Sequence, residues 1–225
     1  MTSFFKFSNE SFDFTSFFYQ WVLTAAHCTD NEAFAEPTEI RILLGAHKLD
    51  DEEEIVTGNL TFRRVTSISP HPDYDSQTEN YDFSLLKLDR PINFTSTQNV
   101  RPICLPEKMD SSTKYSDYYN VSAIVTGWGW TNPRGKYDTP LGATSKVLRE
   151  SKDLIVMKNT VCQTKYQNDK KEITEQMLCA RSEFSQDSCQ GDSGGPLITK
   201  KNNSDRLLSL HIITDYSLFT QFLLI

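Results

Sequence analysis

Short apolar stretches divided by polar turns recur along this chain, and that rhythm restricts the fold more than any single motif. Residues 41–44, 61–68, 83–88, 123–127, 147–156 and 196–199 read as strands. Between them, at 71–80 and 131–141, gather Pro, Asp, Asn and Gly, the residues that suit tight turns. One short helix is expected over 158–167. Many short strands with few helices predict an all-β sandwich or barrel. No internal repeat or low-complexity linker divides the chain, and 225 residues suffice for one large β domain or two small ones.

Composition narrows the function classes. Hydrophobic residues at 38% and charged residues at 24% fit a soluble globular protein. No run approaches the roughly 20 apolar residues that cross a bilayer, so no membrane partner is expected. A net charge of -7 argues against a nucleic-acid surface. The cysteines, Cys28, Cys104, Cys162, Cys179 and Cys189, include no CxxC pair, which leaves zinc or thioredoxin-type chemistry unsupported. The acidic run at 50–54 reads as a solvated loop rather than a calcium site, and no metal or cofactor is expected. Sequons beginning at Asn9, Asn59, Asn93, Asn120 and Asn202 point weakly to an oxidising, extracellular compartment. Residues 1–18 are aromatic but broken by Lys6, Asn9, Glu10 and Asp13, and do not read as a signal peptide.

Three short segments carry nucleophile chemistry. Ser193 lies in Gly191-Asp192-Ser193-Gly194-Gly195-Pro196-Leu197, where flanking glycines permit a sharp turn and close approach of a substrate carbonyl. The N–H groups of Gly191 and Ser193 could then stabilise an oxyanion, each donor of that kind being worth roughly 3–4 kcal/mol of barrier. The plain alternative is a turn between strands. His27 lies in Trp21-Val22-Leu23-Thr24-Ala25-Ala26-His27-Cys28. Serine needs a base, and an imidazole titrating near neutrality is the natural one. A lone histidine after an apolar run is more often structural, and His47, His71 and His211 are left at that reading. Asp82 lies in Tyr81-Asp82-Phe83-Ser84-Leu85-Leu86. An acid ahead of a buried strand is costly unless paired, and orienting an imidazole would pair it. Alone, it reads equally well as a turn residue.

Together, and in the order His, Asp, Ser, these segments resemble the signature segments of the trypsin/chymotrypsin family of serine proteases. Leu44-Gly45-Ala46-His47, His71-Pro72-Asp73-Tyr74, Arg101-Pro102-Ile103-Cys104-Leu105-Pro106 and Thr126-Gly127-Trp128-Gly129 extend the resemblance from about residue 20 to 198. It implies two packed six-stranded antiparallel β-barrels, partly incomplete at both ends, with the active site between them. By resemblance, His27 is general base and then acid, Asp82 orients it, and Ser193 attacks the peptide carbonyl. Asp187, six residues before Ser193, matches the floor of the primary specificity pocket and implies protein or peptide substrates cut after Arg or Lys. Gln190 matches the pocket mouth, Cys162 and Cys179 match a disulfide pair, and protein protease inhibitors are implied partners.

The ends depart from the family pattern. The family forms a new Ile-Val-Gly-Gly-type N-terminus whose ammonium pairs with the aspartate matching Asp192, and no such sequence precedes His27. Residues 1–19 hold neither Cys nor Gly, and 200–225 hold no Cys, Gly or Trp. Residues 1–19 and 200–225 are therefore expected to be atypical segments around a protease domain at 20–199, with 207–213 keeping one strand. The expected partners of Cys28, Cys104 and Cys189 lie in the segments that differ. Low or no activity is expected of the chain as written. The readings carried forward are an endopeptidase, a catalytically inactive homologue acting as a binding module and, from the sequons alone, an adhesive β protein.

Overall fold

The computed structural model describes residues 18–30, 36–49, 61–95, 100–104, 118–131, 144–166, 172–182, 188–201, 204–214 and 217–222. The sequon asparagines Asn9, Asn59 and Asn202, the acidic run and Asp187 lie outside them.

The N-terminal strands are β1 (Trp21–Thr24), β2 (Arg41–Leu44), β3 (Thr61–Pro70) and β4 (Ser84–Leu88), paired antiparallel in the order β1-β4-β3-β2. Alternation decides which face is buried. Ile42 and Leu44 on β2, Leu86 and Leu88 on β4, and Val22 and Val65 enclose one apolar core with Ile92 and Val100. Among the described residues this half has four strands, not the six implied by resemblance.

The second half closes completely. It comprises β5 (Ser122–Gly127), β6 (Arg149–Met157), the helix α1 (Asn159–Tyr166), β7 (Met177–Ser182), β8 (Pro196–Lys201), β9 (Ser204–Thr214) and β10 (Ser217–Phe222). Its six strands form a barrel in the order β10-β7-β6-β5-β8-β9, with β10 returning to β9. Ala123 and Val125, Leu154 and Val156, and Leu178 and Ala180 recur at every second position and fill it, with Leu197. A disulfide between Cys162 and Cys179 ties α1 to β7, their Cα atoms 6.3 Å apart.

The expected boundary at 199/200 has no counterpart in this sheet. β8 runs to Lys201, β9 pairs with it from Pro196↔Leu210 to Lys201↔Ser204, and β10 bridges β9 to β7. Where one strand was expected after residue 200, there are two among the described residues. The physical demand is backbone pairing: without them, β8 and β7 would each present an open edge.

The two halves are also joined by side chains. Thr174 Oγ1 donates to Asn80 Oδ1 at 2.6 Å, and Trp128 Nε1 donates to the His47 carbonyl at 3.1 Å.

Candidate active site

His27 owes its place to the end of β1. Val22 to Ala26 are buried, and Ala25 and Ala26 show no exposed surface, so the strand end is pinned in the core. The chain then turns sharply: Thr29 N, Asp30 N and Thr29 Oγ1 all donate to the Ala26 carbonyl at 2.8, 2.9 and 2.9 Å. His27 sits inside that turn with 32% of its side chain exposed.

Asp82 reaches it through strand register. Thr24 pairs with Ser84, so the residues after β1 and those before β4 emerge at the same end of one antiparallel pair. Asp82 is fully buried. Its Oδ1 accepts from the His27 backbone N at 2.7 Å, and its Oδ2 lies 2.5 Å from His27 Nδ1. Two bonds from one residue compensate the carboxylate for lost water and hold the ring by both backbone and side chain. The backbone around Asp82 is unusually tight. Phe83 N donates to the Tyr81 carbonyl at 2.7 Å across it, and Tyr81 has φ 54°, the left-handed region that disfavours a bulky side chain. Tyr81 is held there by stacking on His71, with centroids 4.8 Å apart and planes 8° from parallel, while Gln176 Nε2 donates to its hydroxyl at 3.4 Å.

Ser193 arrives from the barrel, just ahead of β8. Asp192 N donates to the Cys189 carbonyl and Gly195 N to the Asp192 carbonyl, both at 3.0 Å, making two consecutive turns. Gly191 and Gly194 take φ 94° and 78° within them. At Gly194 the backbone lies so close to β1 that a Cβ would stand 2.5 Å from Thr24 Oγ1. The Ser193 segment therefore packs against the strand end that carries His27.

Cys28 lies at the junction. Its Sγ is 3.4 Å from His27 Nε2 and donates to the Ser193 carbonyl oxygen at 3.7 Å. Burial of the ring opposes its cation, yet hydrogen bonds to Asp82 and Cys28 and the charges of both outweigh burial and hold the His27 pKa at about 10. Tyr74 senses the same site. Burial, followed by the charge of Asp82 and then those of Asp30, Glu79 and Cys28, pushes its hydroxyl up to about 12.

Behind the nucleophile segment, Asp192 Oδ1 accepts from Gly129 N at 2.6 Å and Oδ2 from Cys189 N at 2.9 Å. Burial raises its pKa, and these two N–H donors oppose the rise. The carboxylate rests directly on the backbone of Gly129, leaving no space for a side chain there.

The trypsin family model matches residues 17–217. This chain belongs to the trypsin family. It is 35% identical to coagulation factor XI of Bos taurus over 192 residues, 85% of this chain and 27% of that protein. It is 34% identical to clotting factor C of Tachypleus tridentatus over 185 residues, 80% of this chain and 17% of that protein. The chain thus spans about a quarter or less of the length of these relatives.

With the trypsin family established, the fates of the site residues differ. His27 and Asp82 are bonded, and Ser193 is brought to the same strand end through Cys28 and Gly194. Gly191 adopts the left-handed geometry that only glycine takes readily. Gln190 is exposed, and its carbonyl accepts from Trp130 N at 2.9 Å. Cys162 and Cys179 are joined as expected, whereas Cys28, Cys104 and Cys189 are thiols. In the family pattern the aspartate matching Asp192 pairs with a new N-terminal ammonium, for which no sequence precedes His27; here backbone N–H groups hold the carboxylate. Sequence reasoning missed the Cys28–His27 contact and the His71–Tyr81 stack. The adjacency of Cys28 to His27 was a visible signal; the stack joins residues ten apart through a turn and had none.

Proposed function

We propose that the chain is a serine endopeptidase that hydrolyses peptide bonds after Arg or Lys through His27, Asp82 and Ser193. The observation that carries this reading is the buried Asp82 holding His27 by two hydrogen bonds while the Ser193 segment packs against the same strand end. In the reaction, His27 Nε2 takes the Ser193 Oγ proton as the oxygen attacks the carbonyl carbon. Asp82 stabilises the resulting imidazolium, and the N–H groups of Gly191 and Ser193 receive the oxyanion. His27 then protonates the leaving amine, and water hydrolyses the acyl-enzyme by the same steps. The preference for Arg or Lys rests on Asp187 and the family resemblance alone, with Gln190 at the pocket mouth.

Protein protease inhibitors are the further partners this reading implies. The Cys162–Cys179 disulfide and the exposed sequon residues Asn93 and Asn120 support a secreted glycoprotein. Among the described residues no helix is long and apolar enough to cross a membrane. A second reading, a non-catalytic homologue that binds partners, draws on two contacts. His27 Nε2 faces Cys28 Sγ, and Asp192 is held by backbone N–H groups rather than by an ammonium.

Labelling of the purified chain with a fluorophosphonate, with the adduct located by mass spectrometry, separates the two. Labelling at Ser193 that Asp82→Asn slows by orders of magnitude supports the protease. A folded chain that takes up no label supports the binding module.

A further inference from the structure

Cys28, His27 and Asp82 form a second nucleophile–base–acid array at the site. The thiol sulfur lies 3.4 Å from Nε2, the opposite ring nitrogen lies 2.5 Å from a buried carboxylate, and that carboxylate also accepts the His27 backbone N–H. These are the contacts a nucleophile needs: a base within reach, and a third group that fixes the base and stabilises its cation. Cys28 is half-buried, and His27 keeps 32% of its side chain exposed. Cys104 and Cys189, also thiols and of similar exposure, serve as internal references.

We propose that Cys28 is a covalent modification site for low-molecular-weight disulfides, with His27 as its base, and that the adduct blocks the nucleophile segment at Ser193. In the step, the unprotonated fraction of His27 takes the Cys28 proton at Nε2 and the thiolate attacks one sulfur of the disulfide R–S–S–R. A new Cys28–S–R bond forms as the S–S bond breaks. The leaving RS⁻ accepts the proton from His27 and departs as RSH. No further oxidant is needed, because the disulfide is itself reduced to a thiol as Cys28 is oxidised. The Cys28 sulfur lies 3.4 Å from His27 Nε2 and 3.7 Å from the Ser193 carbonyl oxygen, so a group added to it stands beside both the base and the nucleophile segment.

The blocking effect rests on the protease reading, whereas the reactivity of Cys28 does not. The test incubates the full chain with oxidised glutathione and follows each thiol by peptide mass spectrometry. Cys28 is expected to form its mixed disulfide on the order of tenfold faster than Cys104 or Cys189. His27→Gln is expected to remove that advantage, and Asp82→Asn to diminish it, each variant being checked for native circular dichroism. Equal rates at the three thiols, or a Cys28 rate that His27→Gln leaves unchanged in a folded variant, would overturn the assignment. Fluorophosphonate labelling of Ser193 is measured in the same samples. Loss of label in proportion to the Cys28 adduct, reversed by reductant, supports the block, and undiminished labelling of the adduct refutes it. If the untreated chain takes no label, the protease reading fails by itself, and the relative thiol rates still decide whether Cys28 is the modification site.

Discussion

At the residue scale, the site is governed by what surrounds one imidazole. His27 is buried enough for its cation to be disfavoured, yet Asp82 and Cys28 reverse that preference and hold its pKa at about 10. A base that stays protonated is an idle base, so labelling of Ser193 is expected to rise with pH through the neutral range. Replacing Cys28 with Ala removes one hydrogen bond and one charge that favour the cation. His27 then loses its proton at lower pH, and the acid limb of the labelling-rate profile moves down. A profile that does not move would show that Cys28 exerts no hold on the base. The same shift has a stability consequence whose sign is fixed. The folded pKa lies above the unfolded value of 6.5, so the contribution of His27 is complete below about 6.5 and disappears as pH rises towards about 10. The urea midpoint of the parent should therefore exceed that of His27→Gln at pH 6 by more than it does at pH 10.

At the scale of elements, the turn before β4 is where backbone strain and packing meet. Tyr81 sits at φ 54° one residue before Asp82, and the His71 ring lies over it while meeting Phe83 edge-on at 4.6 Å. Backbone strain of this kind costs of order 1–3 kcal/mol, and an aromatic pair returns about 0.5–1.5 kcal/mol. His71→Ala is accordingly expected to lower stability by about 1 kcal/mol in urea unfolding and to slow Ser193 labelling through loss of Asp82 placement. Restoration of the labelling rate by His71→Phe, which keeps a flat ring, would separate placement from any ionisation of His71. The Gly194 turn offers a second test. At φ 78° with Thr24 Oγ1 in the way, Gly194→Ala should cost about 1–3 kcal/mol of stability and push the Ser193 segment off β1. A variant of unchanged stability would mean that the two halves are not pressed together at this point.

At the scale of the whole molecule, closure of the barrel depends on β9 and β10. They cover the β8 edge on one side and the β7 edge on the other. Ending the chain after Lys201 exposes both edges and removes two of six staves, so cooperative thermal unfolding should vanish, with near-ultraviolet circular dichroism lost at room temperature. The Cys162–Cys179 bridge closes a loop of sequence separation 17 between α1 and β7, and replacing both residues by Ala should cost about 3 kcal/mol.

Much of this architecture was legible from local pattern. The strands expected at 41–44, 83–88 and 123–127 coincide with β2, β4 and β5 to within a residue, because alternating apolar residues bounded by turn formers admit few other structures. The helix expected over 158–167 is α1 at Asn159–Tyr166. The strands after residue 200 were not legible as a pair. Their role is to satisfy the backbone groups of β8 and β7, a requirement written in those partners rather than in residues 204–222. The chemistry divides in the same way. Residue types and their order marked out His27, Asp82 and Ser193 and placed the chain in a family, because peptide hydrolysis by serine needs those groups and few sequences supply them. Only the tertiary structure decided what each one touches. Register brings Asp82 beneath His27, a tight packing contact at Gly194 draws in the Ser193 segment, and the turn after β1 sets Cys28 against Nε2. Contacts of this kind depend on distances between chain segments far apart in sequence, and no local pattern encodes them.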